Sequence, residues 1–168
     1  MEVYILRHGI AEGRRPGGGD PQRRLTQEGK EKLGRVLESA RAAGVRPTLV
    51  LTSPYTRAVE TAEIAVRVLG YKGRVAPSDA LLPSSSAPAV WRLIREHSEE
   101  DAILLAGHEP LLGEAVSYLL GAPRVLVDLK KGAMLRIDLD PLDRSPRGVL
   151  QWFLTAKMAA TSAAETGG

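Results

Sequence analysis

The sequence has no cysteine and no asparagine, and among its 168 residues there are only three glutamines and a single phenylalanine. Without cysteine there is no disulfide framework, no thiolate nucleophile and no cysteine-ligated metal centre. Aromatic residues make up 4% of the chain, too few stacking platforms for a binder of single-stranded nucleic acid. No apolar run reaches the roughly 18 residues that cross a bilayer. The opening Met1-Glu2-Val3-Tyr4-Ile5-Leu6 lacks the basic region of a secretory signal. These absences predict a cytoplasmic protein with neither membrane nor nucleic acid as partner.

Charge is present, and it is mostly arginine: 17 Arg against 6 Lys, for a net charge of +3. The basic residues are scattered, with short doublets at Arg14-Arg15, Arg23-Arg24 and Lys130-Lys131. Such a distribution fits an anionic substrate better than a polyanion surface. At this length one domain with a substantial core is expected.

Apolar periodicity divides the chain into alternating elements. Strands are predicted at Val3–Leu6, Thr48–Thr52, Gly73–Ala76, Ala102–Ala106, Met134–Leu139 and Val149–Leu154. Thr26 caps a helix whose apolar residues Leu33, Val36, Leu37 and Ala40 fall at i, i+3, i+4 and i+7. Ser53-Pro54 reads as an N-cap with proline at the first helical position. Further helices are expected over Ala89–His97 and around Leu112–Leu119. Strands alternating with helices predict a three-layer α/β/α sandwich with a mainly parallel sheet, a single compact domain over residues 1–157. The small, polar residues 158–168 are expected to be disordered. The segment from Gly13 to Arg24, rich in Gly, Pro and Arg, reads as a loop.

In open α/β sheets ligands sit at the carboxyl ends of the strands. The first strand is followed by Arg7-His8-Gly9, the second by Ser53 to Arg57, and the fourth by Gly107-His108-Glu109-Pro110. Two of the three histidines and two arginines would therefore converge on one edge of the sheet. Arginines and helix N-termini both suit a phosphate. A neutral imidazole attacking phosphorus, with fixed cations on the equatorial oxygens, makes a coherent phosphoryl-transfer site.

Arg7-His8-Gly9, the stretch Thr52-Ser53-Pro54 through Arg57-Ala58 to Thr61-Ala62, and Gly107-His108 resemble, in this order, three motifs of the histidine phosphatase superfamily, which includes the phosphoglycerate mutases. Further cues are similar to the short phosphohistidine phosphatases of the SixA type. They are Ile10-Ala11-Glu12 after the first motif, the Asp20…Leu25-Thr26…Gly29 stretch, Lys130-Lys131-Gly132-Ala133, Trp152 and the lack of an inserted cap. The resemblance covers about residues 2–155. It implies the phosphoglycerate mutase-like fold, and catalysis by His8, Arg7, Arg57 and His108. His8 would be the phosphorylated nucleophile, and Arg7, Arg57 and His108 would bind the phosphoryl oxygens, with no metal and no cofactor. It also implies a phosphorylated protein as substrate, such as a histidine-containing phosphotransfer or phosphocarrier domain, in signal transduction.

Two positions depart from the subtype: Arg24 stands where proline is usual, and Glu60 where many relatives carry glutamine. Larger superfamily members draw a proton-donating carboxylate from a longer middle segment. Here that segment offers only Asp79, which favours a phosphoramidate because its protonated imidazole leaves without further help. Glu109 is either a proton donor or a carboxylate favoured by a helix N-terminus, and His97 is a solvated helix-end residue. The alternatives are a phosphatase of small phosphate esters and a non-catalytic phosphoprotein-binding module. His108-Glu109-Pro110-Leu111-Leu112 is not a zinc-protease helix, since Leu112 replaces the second histidine. Gly13 to Gly19 is not a nucleotide loop, since no Gly-Lys-Ser/Thr comes after it.

Overall fold

A computed structural model describes residues 1–13 and 19–165. Six strands form one sheet in the order β3-β2-β4-β1-β5-β6. They are β1 (Glu2–Arg7), β2 (Leu49–Thr52), β3 (Val75–Pro77), β4 (Ala102–Gly107), β5 (Met134–Asp138) and β6 (Val149–Leu154). The pairs β1–β4, β2–β4 and β2–β3 are parallel, while β5 runs antiparallel to both β1 and β6. This is the expected mainly parallel sheet, with one reversed strand.

Helices cover both faces. Val3 and Ile5 of β1, with Ile103 and Leu105 of β4, pack under α3 (Ala87–Glu96) and α4 (Leu111–Leu119). Tyr4, Leu6, Leu104 and Ala106 turn to the other side, against α1 (Gln27–Ala42) and α2 (Thr56–Leu69). Burial on both faces is why β1 and β4 read as unbroken apolar runs rather than alternating ones. Two cores therefore clamp the central strands, and the ends of those strands carry the candidate residues.

Beyond shifts of one or two residues at element ends, three features differ from the sequence reading. The third strand lies at Val75–Pro77, where it pairs with Val50–Thr52, and proline is tolerated because β3 is an edge strand. The helix expected to start at Ser53-Pro54 begins at Thr56, with Tyr55 as its N-cap. The Ser53 hydroxyl lies against His108 instead. Finally, Ala156–Glu165 forms a helix, α5, where the composition predicts a disordered tail from residue 158. Alanine is the strongest helix former, and Ala159 is buried in the core shared by α1 and α2. Residues 14–18 of the Gly/Arg-rich loop and 166–168 of the tail lie outside the described residues.

The entry into α1 is tied to the segment after β1. Thr26 caps α1 by accepting the N–H of Gly29 at 3.0 Å, and its own N–H donates to the Ile10 carbonyl at 2.9 Å. Gly29 presses directly on that backbone, because a Cβ there would stand 2.2 Å from the Ile10 oxygen. In an exposed helix, Gly→Ala gains about 1 kcal/mol. Here the clash is with backbone that is itself bonded to Thr26, so overpacking decides the sign. Gly29→Ala is expected to destabilise the fold by about 1–3 kcal/mol in urea unfolding and to slow turnover by displacing the residues after His8. An unchanged midpoint would show that this contact is not tight.

Candidate active site

The strand ends bring the candidate residues together. Register pairs Arg7 of β1 with Gly107 of β4, and the ladder continues one residue further, His8 N–H donating to the Gly107 carbonyl at 3.0 Å. His8 and His108 are thus side by side, both buried, with ring centroids 5.1 Å apart. Arg57, in the first turn of α2, reaches across, its Nε 3.3 Å from Nε2 of His8. Thr61, one turn on, accepts the N–H of Gly9 at 3.2 Å and donates to the Arg57 carbonyl at 2.7 Å. The loop after β1 and the helix after β2 are locked by that one hydroxyl.

Hydrogen-bond accounting gives the His8 tautomer. Nδ1 lies 2.7 Å from the Gly9 carbonyl, which can only accept, so Nδ1 carries the proton. Nε2 is left with its lone pair, and Arg57 Nε donates to it. Burial pushes the His8 pKa down to about 4 against the Gly9 bond, helped by Arg57, Arg7 and Lys131. Burial, then Arg57 and His8, push His108 to about 3, with Asp20 acting in the opposite direction. Both rings are therefore neutral at physiological pH.

Two further nitrogens of the candidate set are left without partners. Arg7 gives one terminal nitrogen to the Leu129 carbonyl, while its Nε is buried without an acceptor among the described residues. Nδ1 of His108 is in the same condition. A buried donor left unmatched costs about 1–3 kcal/mol, and an oxyanion bound over His8 would satisfy both. The arrangement has the chemistry of an oxyanion pocket around a nitrogen nucleophile.

Sequence reasoning misses three participants. Asp20, in the 3₁₀ turn Asp20–Gln22, accepts from Arg57 twice, through its carbonyl at 2.8 Å and its carboxylate at 2.9 Å. Tyr55 packs its ring edge-on against His108, centroids 5.2 Å apart, and under the Arg57 guanidinium at 5.1 Å. Ser53 lies 2.7 Å from Nε2 of His108. In the sequence Asp20 enters only as part of a subtype cue, and Ser53 only as a helix cap and as part of the second motif, neither with a role at the site. Contacts between residues tens of positions apart leave no local pattern.

Glu109 is brought to a different place from the two rings. Its carboxylate faces Arg7 and the backbone N–H groups of Gly113 and Leu129, its Oε1 is buried without a hydrogen-bond partner among the described residues, and burial raises its pKa. Arg7 thus holds the Leu129 carbonyl, while Glu109 faces the N–H of the same residue. The other carboxylate candidate, Asp79, opens the 3₁₀ turn Asp79–Leu81 after edge strand β3, and this turn packs against β4. His97 ends α3, ahead of β4, at the far edge of the sheet. The two departures from the subtype meet each other. Arg24 donates through Nε to Glu60 Oε1 at 2.9 Å, and Glu60 Oε2 accepts the Leu25 N–H at 2.7 Å. Among the described residues, no group of three or more His, Asp or Glu side chains could hold a metal ion, and no helix is long and apolar enough to cross a membrane.

Comparison with known proteins agrees with this geometry. Residues 3–81 match the histidine phosphatase superfamily (branch 1). An uncharacterized protein of Picosynechococcus sp. is 34% identical over 137 residues, covering 80% of this chain and 83% of the relative. Among solved structures, the protein histidine phosphatase SixA complexed with tungstate superposes with a TM-score of 0.84 at 24% identity, covering 94% of this chain and 98% of that one. The alpha-ribazole phosphatase from Shigella flexneri superposes with a TM-score of 0.70 at 19% identity, covering 93% and 97%.

The neutral histidines carry a stability consequence. Their folded pKa values, about 4 and 3, lie below the roughly 6.5 of an exposed histidine. Below pH 6.5 the unfolded chain therefore binds more protons, and stability falls as pH falls through this window. Between pH 6 and 5 each ring should contribute a loss approaching about 1.4 kcal/mol per pH unit. The double variant His8→Gln, His108→Gln should show a visibly flatter dependence in urea unfolding. Parallel curves for the two proteins would mean that neither histidine is held neutral.

Proposed function

This chain belongs to the histidine phosphatase superfamily, and from that membership we propose that it removes phosphoryl groups from phosphohistidine in a protein, without a metal, through a phosphorylated His8. The observation that carries the reading is the lone pair of neutral His8 Nε2, buried and met by the Nε of Arg57, with the proton fixed on Nδ1 by Gly9. Nε2 attacks phosphorus, the bond from phosphorus to the substrate imidazole breaks, and the leaving ring keeps its proton. Water then attacks phosphorus, the bond to Nε2 breaks, and phosphate departs. Arg7, Arg57 and His108 donate to the equatorial oxygens throughout, where the charge of the transition state gathers.

Two features favour phosphohistidine over an alkyl ester. Expelling an alkoxide needs a placed general acid, typically worth about 10²–10⁴-fold. Glu109, the carboxylate nearest in sequence, faces Arg7 and the Leu129 peptide. The similarity to SixA supports the same substrate class, and with it a histidine-containing phosphotransfer or phosphocarrier partner and a signalling role in the cytoplasm. Small esters remain the second reading because an alpha-ribazole phosphatase shares the fold.

The test is a hydrolysis panel of phosphohistidine protein, aryl phosphate, sugar phosphate and phosphoserine, with trapping of labelled phosphate on the enzyme. Phosphohistidine protein and aryl phosphate should turn over well, the alkyl esters poorly, and label should appear on His8 and vanish in His8→Ala. Glu109→Gln should affect aryl and alkyl substrates alike. Efficient alkyl turnover that collapses in Glu109→Gln would make Glu109 the acid and remove the basis for the preference. A folded chain that binds phosphoprotein but never acquires label would be a binding module instead.

Arg57→Ala should lower kcat/KM by about 10²–10³-fold, the usual worth of a preorganised donor to transition-state charge. Arg57→Lys should recover little, because a point charge cannot reach His8 and Asp20 together as the planar fork does. Retention of near-wild-type rates in Arg57→Ala would place the phosphate elsewhere.

A further inference from the structure

Ser53 is fully buried at the end of β2, yet the helix after it is capped at Tyr55, so the hydroxyl is not needed as a helix cap. Its Oγ has two polar neighbours among the described residues, the Tyr55 N–H at 3.3 Å and Nε2 of His108 at 2.7 Å. A hydroxyl offers one proton and two lone pairs. The Tyr55 amide can only donate, so it occupies a lone pair. The hydroxyl proton then has Nε2 of His108 as its acceptor. A neutral imidazole carries one N–H, and if Nε2 accepts, that N–H is on Nδ1. Nδ1 is the atom that is buried without an acceptor among the described residues, in a ring 5.1 Å from the ring of His8.

We infer that Ser53 is a positioning residue that fixes His108 in its Nδ1–H tautomer, so that the ring presents a donor to a phosphoryl oxygen over His8. The opposite tautomer would strand the Ser53 proton in a fully buried place and turn a lone pair toward an oxyanion. Both penalties fall on the same alternative. The rings packed on His108, those of Tyr55 and His8, meet it through faces and edges and do not compete for that bond. This inference rests on the proposed role of His108 as an oxygen donor, but the tautomer itself can be measured without any activity.

The measurement is ¹⁵N NMR of the histidine rings in the wild-type protein at neutral pH. His108 should show a protonated Nδ1 and an unprotonated Nε2. In Ser53→Ala the ring should move toward the Nε2–H form, and kcat/KM on an aryl phosphate should fall about 10–100-fold, the range over which outer partners of a reacting ligand act. Ser53→Thr should keep the wild-type tautomer. In a His108→Ala background, Ser53→Ala should cost almost nothing more, because its effect passes through the ring. An Nε2–H signal for His108 in the wild type overturns the inference whether or not any variant folds. So does a full additional loss from Ser53→Ala in the His108→Ala background. A wild-type protein with the Nδ1–H tautomer and no turnover would instead count against the phosphatase reading alone.

Discussion

The parallel pairing of β1 with β4 is the constraint on which the rest depends. It sets Arg7 against Gly107, and the bond from His8 N–H to the Gly107 carbonyl extends the ladder past the strand itself. On its other side the His8 carbonyl accepts the N–H of Gly132, so the residue is held by backbone on both flanks. A slip of one residue would send each β1 side chain to the opposite face, and His8 would leave His108 and Arg57. The two apolar cores that clamp the central strands from above and below therefore also fix the spacing of the reacting groups. Burial of Ile5, Leu6, Ile103 and Leu104 is, in this sense, part of the site's geometry.

The central strands and the four principal residues are legible in the sequence because each depends on a local pattern. Unbroken apolar runs mark strands covered on both faces, and the residues just past such strands gather on one edge. The residues that complete the site are not legible, because they depend on distance in space. Asp20 meets Arg57 across 37 positions and Ser53 meets His108 across 55. The start of α2 is misread for the same reason, since Ser53 has the right chemistry for a cap but a stronger claim on it comes from elsewhere. The tail is misread because small polar composition hides Ala159, whose burial needs no large side chain.

Charged groups around the site mostly brace loops. Glu60 accepts a backbone N–H from Leu25 and in addition meets Arg24, whose side chain is 67% exposed. An ion pair that open to solvent is worth about 0–1 kcal/mol, so the bond to Leu25 is the one that shapes the loop. Neither of these two departures from the subtype is an isolated change, because each supplies the partner of the other. Arg7 and Glu109 do the same on the opposite flank, meeting at the Leu129 peptide. Paired in this way, the charges hold the segments after β1 and before β5 at fixed distances from the two imidazoles.

The double contact of Asp20 with Arg57 has a thermodynamic meaning of its own. A free arginine side chain samples many rotamers, and stilling it costs up to about 2 kcal/mol of entropy. Here three nitrogens of the guanidinium are already engaged, two by Asp20 and one by His8. That ordering is lost once, when the chain folds, and is not lost again at each encounter with substrate. The rigidity of this cation thus resides in a turn 37 residues away in sequence, and any disturbance of that turn would appear as disorder in the guanidinium rather than as missing charge.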